Sequence, residues 1–293
     1  MTVRVSGIDA FRLTAADGEG LAQFYRQLGF TLEGHEAIGQ EEMALLGLTG
    51  GGRRIRLRLG AQRLDLDCFE IQGKPYARDA TATDLSFQHF AIVTDDAAAA
   101  WQRAARLGAA PISRGAPVHL PPSTGVAAAV KFRDPEGHPL ELLQLLSPGA
   151  SRWRGTGLLG IDHSAISVAD ASASRSFYEA LGLLAHAPTV NQGSAQSALD
   201  GVPDAQVDVV PMLPQRDTPH LELLGYRHPK GRAAAPLGAN DVAATRIVWA
   251  ADRDELIRDP DGHLHLLRRL AGARPGRGPR PRRGPTPPAG RPD

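Results

Sequence analysis

Two glutamates of this chain stand in the same sequence surroundings. Glu141 and Glu222 each have a leucine on either side, within 139–143 and 219–224. Alternate side chains of a β-strand point to opposite faces, so the leucines share one face and the carboxylate stands alone on the other. A carboxylate can act as a general base or bind a metal ion. Most carboxylates on a strand face are simply solvated, but the duplicated layout favours a function here.

Other polar side chains are candidates for a functional role together with Glu222. His220 precedes it by two residues and shares its strand face, so it is a candidate acid or base. Tyr226 lies on that face too if the strand continues. The polar segment Asn191–Gln196 has the composition of a hairpin that faces a substrate, and ordinary turn chemistry explains it equally well. We keep Asn191, Gln196 and Tyr226 as candidate substrate residues.

The chain contains two copies of a strand, a tight turn and a second strand. Segment 132–143 carries Asp-Pro-Glu-Gly-His, and segment 257–267 repeats it as Asp-Pro-Asp-Gly-His. Proline presets φ at the second turn position, aspartate can bond the backbone ahead, and glycine supplies a positive φ. The histidines of the two turns, His138 and His263, are expected to project into solvent.

A longer repeat organises the chain. Segment 7–17 matches 160–170 at an offset of 153 residues, and 24–30 matches 177–183 at the same offset. Within each half a smaller unit of strand, helix and several strands recurs, which predicts four modules.

The fourth module is shortened. His89, in the first strand of module two, lies 45 residues before Asp134, whereas Ala244 lies about 15 residues before the corresponding Asp259. The missing stretch is where the helix should be. We therefore expect a sheet contribution from module four and little or no helix.

Length and composition fit an ordinary globular protein. The 293 residues suggest two domains, 1–147 and 157–271, joined around Ser147–Ser151 and followed by an Arg, Pro and Gly tail at 272–293 that should be disordered. Cys68 is the only cysteine, which fits a reduced, cytoplasmic compartment. No apolar run approaches the length of a membrane span. The net charge of +1 conceals a basic tail, which could contact nucleic acid or acidic partners but is expected to be simply solvated.

These motifs resemble those of the vicinal-oxygen-chelate superfamily, which includes glyoxalase I, extradiol dioxygenases, fosfomycin-resistance proteins and bleomycin-binding proteins. The similar features are the Phe-Tyr-x-x-Leu-Gly helix end, the Asp-Pro-x-Gly-His-x-x-Glu-Leu hairpin and a histidine at the module start. The resemblance covers all but the tail. It implies an α+β fold of four tandem βαβββ modules, the last one truncated, in which paired modules curl their sheets into a half-open cup.

The resemblance also implies a divalent metal ion, Fe, Mn, Ni, Co or Zn, held by a first-strand residue and a last-strand glutamate of each paired module. Imidazole and carboxylate groups suit these ions. Carried over residue by residue, the positions are Ala10, Asp65, His89 and Glu141 in the first half and His163, Glu222, Ala244 and Leu266 in the second.

Neither half keeps a full ligand set, which leaves three alternatives. His89, Asp65 and Glu141 hold the ion; or modules two and three face each other, within a chain or in a homodimer, so that His89, Glu141, His163 and Glu222 hold it; or no ion is bound and the cup takes an organic molecule. The sequence does not settle how the modules pair.

The resemblance favours lyase or isomerase chemistry of the glyoxalase type on a small oxygenated metabolite. In that chemistry Glu141 or Glu222 would abstract a proton from carbon, with His220 as a further acid or base. An extradiol dioxygenase would usually show a tyrosine where Lys131 and Glu255 stand, and both histidines in one half. A metal-free protein that binds an aromatic or antibiotic molecule is the competing hypothesis.

Overall fold

The computed structural model describes residues 3–147, 153–216, 219–233 and 235–269. The predicted tail at 272–293 and most of the predicted linker lie outside these ranges. The elements of the first half are β1 Val5–Thr14, α1 Gly18–Leu28, β2 Thr31–Ala37, α2 Gln40–Leu45, β3 Gly52–Leu59, β4 Gln62–Phe69, β5 Gln88–Thr94, α3 Ala97–Arg106, β6 Ala110–Pro111, β7 Val118–His119, a 3₁₀ turn Pro122–Thr124, β8 Val126–Arg133 and β9 Pro139–Leu145.

The second half repeats this order and then shortens it. Its elements are β10 Leu158–Ser167, α4 Ala171–Ala180, β11 Leu184–Ala185, β12 Thr189–Gln192, α5 Ser194–Asp200, β13 Gln206–Leu213, β14 His220–His228, β15 Arg246–Ala251, β16 Glu255–Arg258 and β17 Leu264–Arg269. The α+β modular fold is confirmed. No helix lies between β15 and β16, as the shortened module predicted.

The three longer helices begin at an aspartate. The side chains of Asp17, Asp96 and Asp170 accept hydrogen bonds from backbone N–H groups in the first turns of α1, α3 and α4. This satisfies donors that a helix start leaves unpaired. Helix α1 ends at Gly29, whose φ of 137° would strain a residue with a side chain. None of the described helices is long and apolar enough to cross a membrane.

The modules pair across the two halves of the chain. In the seven-stranded sheet, β1 of module one lies antiparallel to β15 of module four. In the ten-stranded sheet, β5 of module two lies antiparallel to β10 of module three. Each sheet therefore takes one module from each half. We name their concave faces the seven-stranded cup and the ten-stranded cup.

One large apolar core joins the backs of the two sheets with the helices. Phe11 of β1 stacks on Phe90 of β5 with ring centroids 5.8 Å apart, and Leu140 and Leu142 of β9 belong to the same core. These leucines therefore face away from the cup, as the alternation predicted for Glu141 requires.

The two Asp-Pro turns connect modules, and their histidines are buried. Nε2 of His138 lies 3.0 Å from the carbonyl oxygen of Thr14, and its Nδ1 lies 2.8 Å from Asp134. Nε2 of His263 lies 3.0 Å from the carbonyl oxygen of Ser167. The prediction that these histidines project into solvent was wrong, because the end of a neighbouring module covers each turn.

Candidate metal centre

Four candidate ligands lie on adjacent strands at the centre of the ten-stranded sheet. Ala165 of β10 is the register partner of both His89 on β5 and Glu222 on β14. Two residues away, Ala91 of β5 is the partner of both His163 on β10 and Glu141 on β9. Paired strands of this kind bring His89, Glu141, His163 and Glu222 to one patch of the concave face.

The side-chain heads of this cluster are in contact. Nε2 of His89 lies 3.0 Å from Oε2 of Glu141. Nε2 of His163 lies 3.9 Å from the same Glu141 oxygen and 3.5 Å from Oε2 of Glu222. Ligand atoms of His89, Glu141 and His163 all lie within 4.8 Å of one another. His89, Glu141 and His163 are buried, and Glu222 is partly exposed.

These separations suit a shared cation. Ligand atoms about 2.1 Å from a transition-metal ion lie about 3.0 Å apart when adjacent at a right angle and about 4.2 Å apart when opposite. The three measured distances of 3.0, 3.5 and 3.9 Å fall within that range. Two imidazoles and two carboxylates form a donor set suited to Fe, Mn, Co, Ni or Zn, and leave coordination positions for a substrate.

Burial and charge oppose each other in the cluster. Burial alone would raise the pKa of Glu141, but Lys131 and His89 outweigh it and lower this pKa to about 2. Burial alone would lower the pKa of His163, but Glu222 and Asp162 raise it to about 9. Burial lowers the pKa of His89. The cluster therefore holds one cationic and one neutral imidazole beside two carboxylates, and a metal ion would take the place of the proton on His163.

A β-bulge adds Asp162 to the site. Ile161 and His163 pair with the adjacent residues Ile92 and Ala91, so Asp162 is the extra residue of β10. Oδ2 of Asp162 lies 3.1 Å from Nδ1 of His163. Such a carboxylate orients an imidazole ligand and leaves its other nitrogen free for a metal. Sequence reasoning missed Asp162, and the only available signal was its equivalent Asp9 at the repeat offset.

His220 lies beside the cluster, as its position two residues before Glu222 suggested. Nε2 of His220 lies 3.4 Å from Oε1 of Glu222, and its Nδ1 lies 3.9 Å from Oδ2 of Asp162. Both His220 and Glu222 retain some solvent exposure. This pair forms the accessible rim of the site.

Helix α5 covers the ten-stranded cup, in the segment that the sequence suggested as a hairpin. Gln196 is on this helix, and its Nε2 donates to Asp200 at 2.7 Å. Tyr226 is buried, and burial together with Asp200 raises its pKa. Asn191 lies on β12, where its side-chain oxygen accepts a hydrogen bond from the Thr189 hydroxyl at 3.4 Å.

Sequence reasoning also missed the role of Lys131, which it considered only as the residue at a tyrosine position. Lys131 is buried, and its Nζ lies 2.7 Å from Oδ1 of Asp200. It is the register partner of Glu141, so it lies next to the candidate metal centre.

Different side chains line the seven-stranded cup, and Asp65 is one of them. Asp65 is paired with Arg12 and Arg63, in the other sheet from His89. The expectation that Asp65 shares a metal ion with His89 and Glu141 therefore needs correction. Its carboxylate has the place that Glu222 has in the ten-stranded cup, but arginine side chains surround it.

The register also corrects the position assigned to module four. Arg246, rather than Ala244, pairs with β1 at the place where His89 pairs with β10. Arg246 is fully buried and lies 3.1 Å from Asp67. Leu266 occupies the Glu141 position, as expected, and packs with Ala10 and Val248. Among the described residues, both groups that could hold a cation, His89–Glu141–His163 and Asp162–His163–His220, share His163 and lie in the ten-stranded cup.

Comparisons with known proteins agree with the architecture. Residues 7–142 match the family model of the Glyoxalase/Bleomycin resistance protein/Dioxygenase superfamily. The crystal structure of glyoxalase I from Zea mays is similar with a TM-score of 0.55 and 17% identity, over 89% of this chain and 92% of that one. A putative dioxygenase from Bacillus subtilis gives a TM-score of 0.54 and 14% identity, over 90% and 85%.

No curated protein matches this chain in sequence. At these identities the structural similarity establishes the fold alone. The family model matches residues 7–142, slightly less than half of the chain, and the repeated modules and curled sheets continue the same fold through the second half.

Proposed function

We propose that the protein is a glyoxalase-like, metal-dependent enzyme, a lyase or isomerase that acts on a small oxygenated metabolite in the ten-stranded cup. The observation that supports this most directly is the convergence of His89, Glu141, His163 and Glu222, with contacts of 3.0 to 3.9 Å along the set. Two of these residues come from each half of the chain, and module pairing within one chain brings them together.

The four residues would hold a divalent ion, which polarises carbonyl or hydroxyl oxygens of a bound molecule and makes a neighbouring C–H group more acidic. His163 would bind through Nε2, because Asp162 occupies its Nδ1. Glu141 would remain an anchored ligand, since His89 and Lys131 both face it.

Glu222 has the better position for moving a proton. It is less buried than Glu141, and His220 lies 3.4 Å from it at the rim. A carboxylate that can leave the ion without breaking other strong contacts is free to accept a proton from carbon. We assign Glu222 as the general base and His220 as the group that exchanges this proton with solvent.

Metal binding tests the proposal. Titration of the metal-free protein with Co²⁺ should give about one ion per chain, with an absorption spectrum typical of mixed nitrogen and oxygen ligands. His89→Ala and Glu141→Ala should each weaken binding at least about 10- to 100-fold. His119→Ala changes an exposed histidine on β7 and serves as the control. Equal Co²⁺ affinity in all four proteins would refute the assignment.

The apolar lining of the same cup supports a second candidate function. Phe87, Leu224 and Tyr226 pack together beside the cluster. A metal-free protein that sequesters an aromatic molecule would use such a surface. Absence of stoichiometric binding of any of the five ions, with retained folding, would favour this alternative.

A further inference from the structure

A buried ammonium group lies beside the candidate metal centre and is not one of its ligands. Lys131 is 4% exposed and stands on β8 opposite Glu141 on β9. Directly paired residues of antiparallel strands point to the same face of the sheet, with Cβ atoms about 5 Å apart. Lys131 therefore points into the ten-stranded cup.

The hydrogen-bond partner of this ammonium comes from outside the sheet. Nζ of Lys131 lies 2.7 Å from Oδ1 of Asp200, the last residue of α5. The other oxygen of Asp200 accepts from Gln196 at 2.7 Å. Asp200 is buried, and Leu199 beside it packs on Ala91 in the cup. The Asp200 carboxylate at the end of α5 thus contacts Lys131 and lies over the candidate metal centre.

The other cup shows what this position contains when the ligands are absent. Leu256, rather than Glu255 as the sequence suggested, is the counterpart of Lys131, because it pairs with Leu266 as Lys131 pairs with Glu141. Leu256 packs against Leu266 and Val248. Burying an ion pair costs desolvation free energy, and an apolar residue in the same place often stabilises a fold equally well. The lysine is present only in the cup that also has the candidate imidazole and carboxylate ligands. This favours a role for Lys131 in binding.

We propose that Lys131 is the anion-binding residue of the ten-stranded cup, and that it binds a carboxylate or similar anionic oxygen group of the substrate. Asp200 occupies this position until the substrate arrives and then turns away with Gln196. The inference rests on the proposed function for the identity of the cup as the substrate site. It narrows the substrate class to small hydroxy or oxo acids in their anionic form.

Exchange of the two carboxylates requires no unfolding of α5. The carbonyl oxygen of Leu199 accepts from Oγ of Ser113 at 2.7 Å, and that of Ala198 accepts from the N–H of Arg114 at 2.8 Å. These contacts hold the end of the helix without the Lys131 side chain, since only the backbone N–H of Lys131 contacts the Ser113 hydroxyl. Rotation of the Asp200 side chain is sufficient to release the ammonium.

Calorimetric binding of glycolate and its neutral analogue glycolamide, to metal-free and Co²⁺-loaded protein, tests the proposal. The wild type should bind glycolate about 10- to 100-fold more tightly, as expected for a hydrogen bond to a charged group. Lys131→Met should reduce this preference to within about threefold. Asp200→Asn should strengthen glycolate binding, because it removes the internal competitor. Lys230→Met and Asp204→Asn change exposed residues and are the matched controls.

If Lys131→Met does not fold, the double variant Lys131→Met/Asp200→Leu replaces it, since no buried charge is then left alone. A glycolate preference that survives loss of Lys131 in the folded, metal-free protein would overturn the inference, because no bound cation can then supply the preference. Weak Co²⁺ binding combined with a Lys131-dependent preference in the metal-free protein would instead refute the metal-dependent function and leave this inference intact.

Discussion

At the residue scale, the two cups use charged side chains in opposite ways. In the ten-stranded cup the charged residues converge on one point. In the seven-stranded cup Arg12, Arg54 and Arg246 neutralise Asp65 and Asp67. Glu42 of α2 joins them by contacting both Arg12 and Arg54. This network pairs the buried carboxylates with arginines, so it leaves no free donor set for an ion.

Arg246→Leu should therefore destabilise the protein without affecting metal binding. The change leaves Asp67, which is fully buried, without one of its cationic partners, at a cost of about 3–5 kcal/mol. Urea denaturation measures this loss. Arg268→Leu is the control, since its partly exposed ion pair with Glu42 contributes less than about 1 kcal/mol. Loss of Co²⁺ binding in folded Arg246→Leu would contradict our separation of the two cups.

Glu222→Gln should separate metal binding from proton transfer. The amide keeps one oxygen ligand but cannot accept a proton, so Co²⁺ affinity should fall less than in Glu141→Ala. Deuterium exchange at the carbon beside the carbonyl of hydroxyacetone, followed by NMR, should slow about 10²- to 10⁴-fold. An unchanged exchange rate would exclude Glu222 as the base.

The sequence proposed His89, Glu141, His163 and Glu222 as one of its alternative ligand sets, because each occupies a recognisable place in a repeated motif. It could not exclude Asp65, since alternation assigns a residue to a strand face but does not say which strands are neighbours. Asp162 was missed for a related reason. Without a bulge, its side chain would point away from that of His163, and the bulge is visible only in the strand register.

At the element scale, a chain of hydrogen bonds fixes the turn of module four. Nε1 of Trp249 donates to Nδ1 of His265 at 3.0 Å, Nε2 of His265 lies 2.8 Å from the Tyr178 hydroxyl, and that hydroxyl donates to Asp259 at 2.9 Å. Because Trp249 donates, Nδ1 of His265 carries no proton. Burial lowers the pKa of His265 to about 4.

This chain of hydrogen bonds makes the stability of the folded protein sensitive to acid. The unfolded chain protonates His265 near its ordinary pKa of 6.5, whereas the folded protein does not until about 4. Unfolding therefore takes up a proton in this window, and stability falls as pH decreases, by about 2 kcal/mol between pH 7 and pH 5. His265→Gln should lose less stability over that interval in urea denaturation at the two pH values. Equal losses of stability in the wild type and in His265→Gln would contradict the lowered pKa that we assign to His265 in the folded protein.

Helices α2 and α5 were not predicted. Each is short, six and seven residues, so neither shows a clear helical period. Glycine and polar residues before α5 are also typical of a hairpin turn. The longer helices could be predicted because an aspartate cap, an apolar face and a following glycine all indicate the same ends.

At the scale of the whole molecule, the centre of each sheet is a contact between the two halves. Strands β1 and β5 would lose a neighbour if the first half were separated, and both would become exposed edges. The sequence predicted the repeat and the shortened module, but it left the pairing of modules two and three as one of three alternatives, because the repeat says nothing about which copies are adjacent. The homodimer remains a prediction, and it is not required to complete the site.

Fragments 1–147 and 153–269 should therefore fail to bind Co²⁺ separately and should regain binding when they are expressed together. Each fragment contains one histidine and one glutamate of the candidate centre. Size-exclusion chromatography with metal analysis measures both association and loading. A folded, monomeric 1–147 fragment that binds one ion would contradict the proposed centre.

The shortened module four contributes its strands to the seven-stranded sheet, which has Ala10, Asp65, Arg246 and Leu266 at the positions of the four candidate ligands. The shortened copy therefore lies in the sheet that does not contain the candidate metal centre. Ligand-bearing modules two and three both retain their helices. One consequence of duplication in this protein is that module four can be shortened without affecting the candidate centre, as long as its sheet still packs against the other sheet.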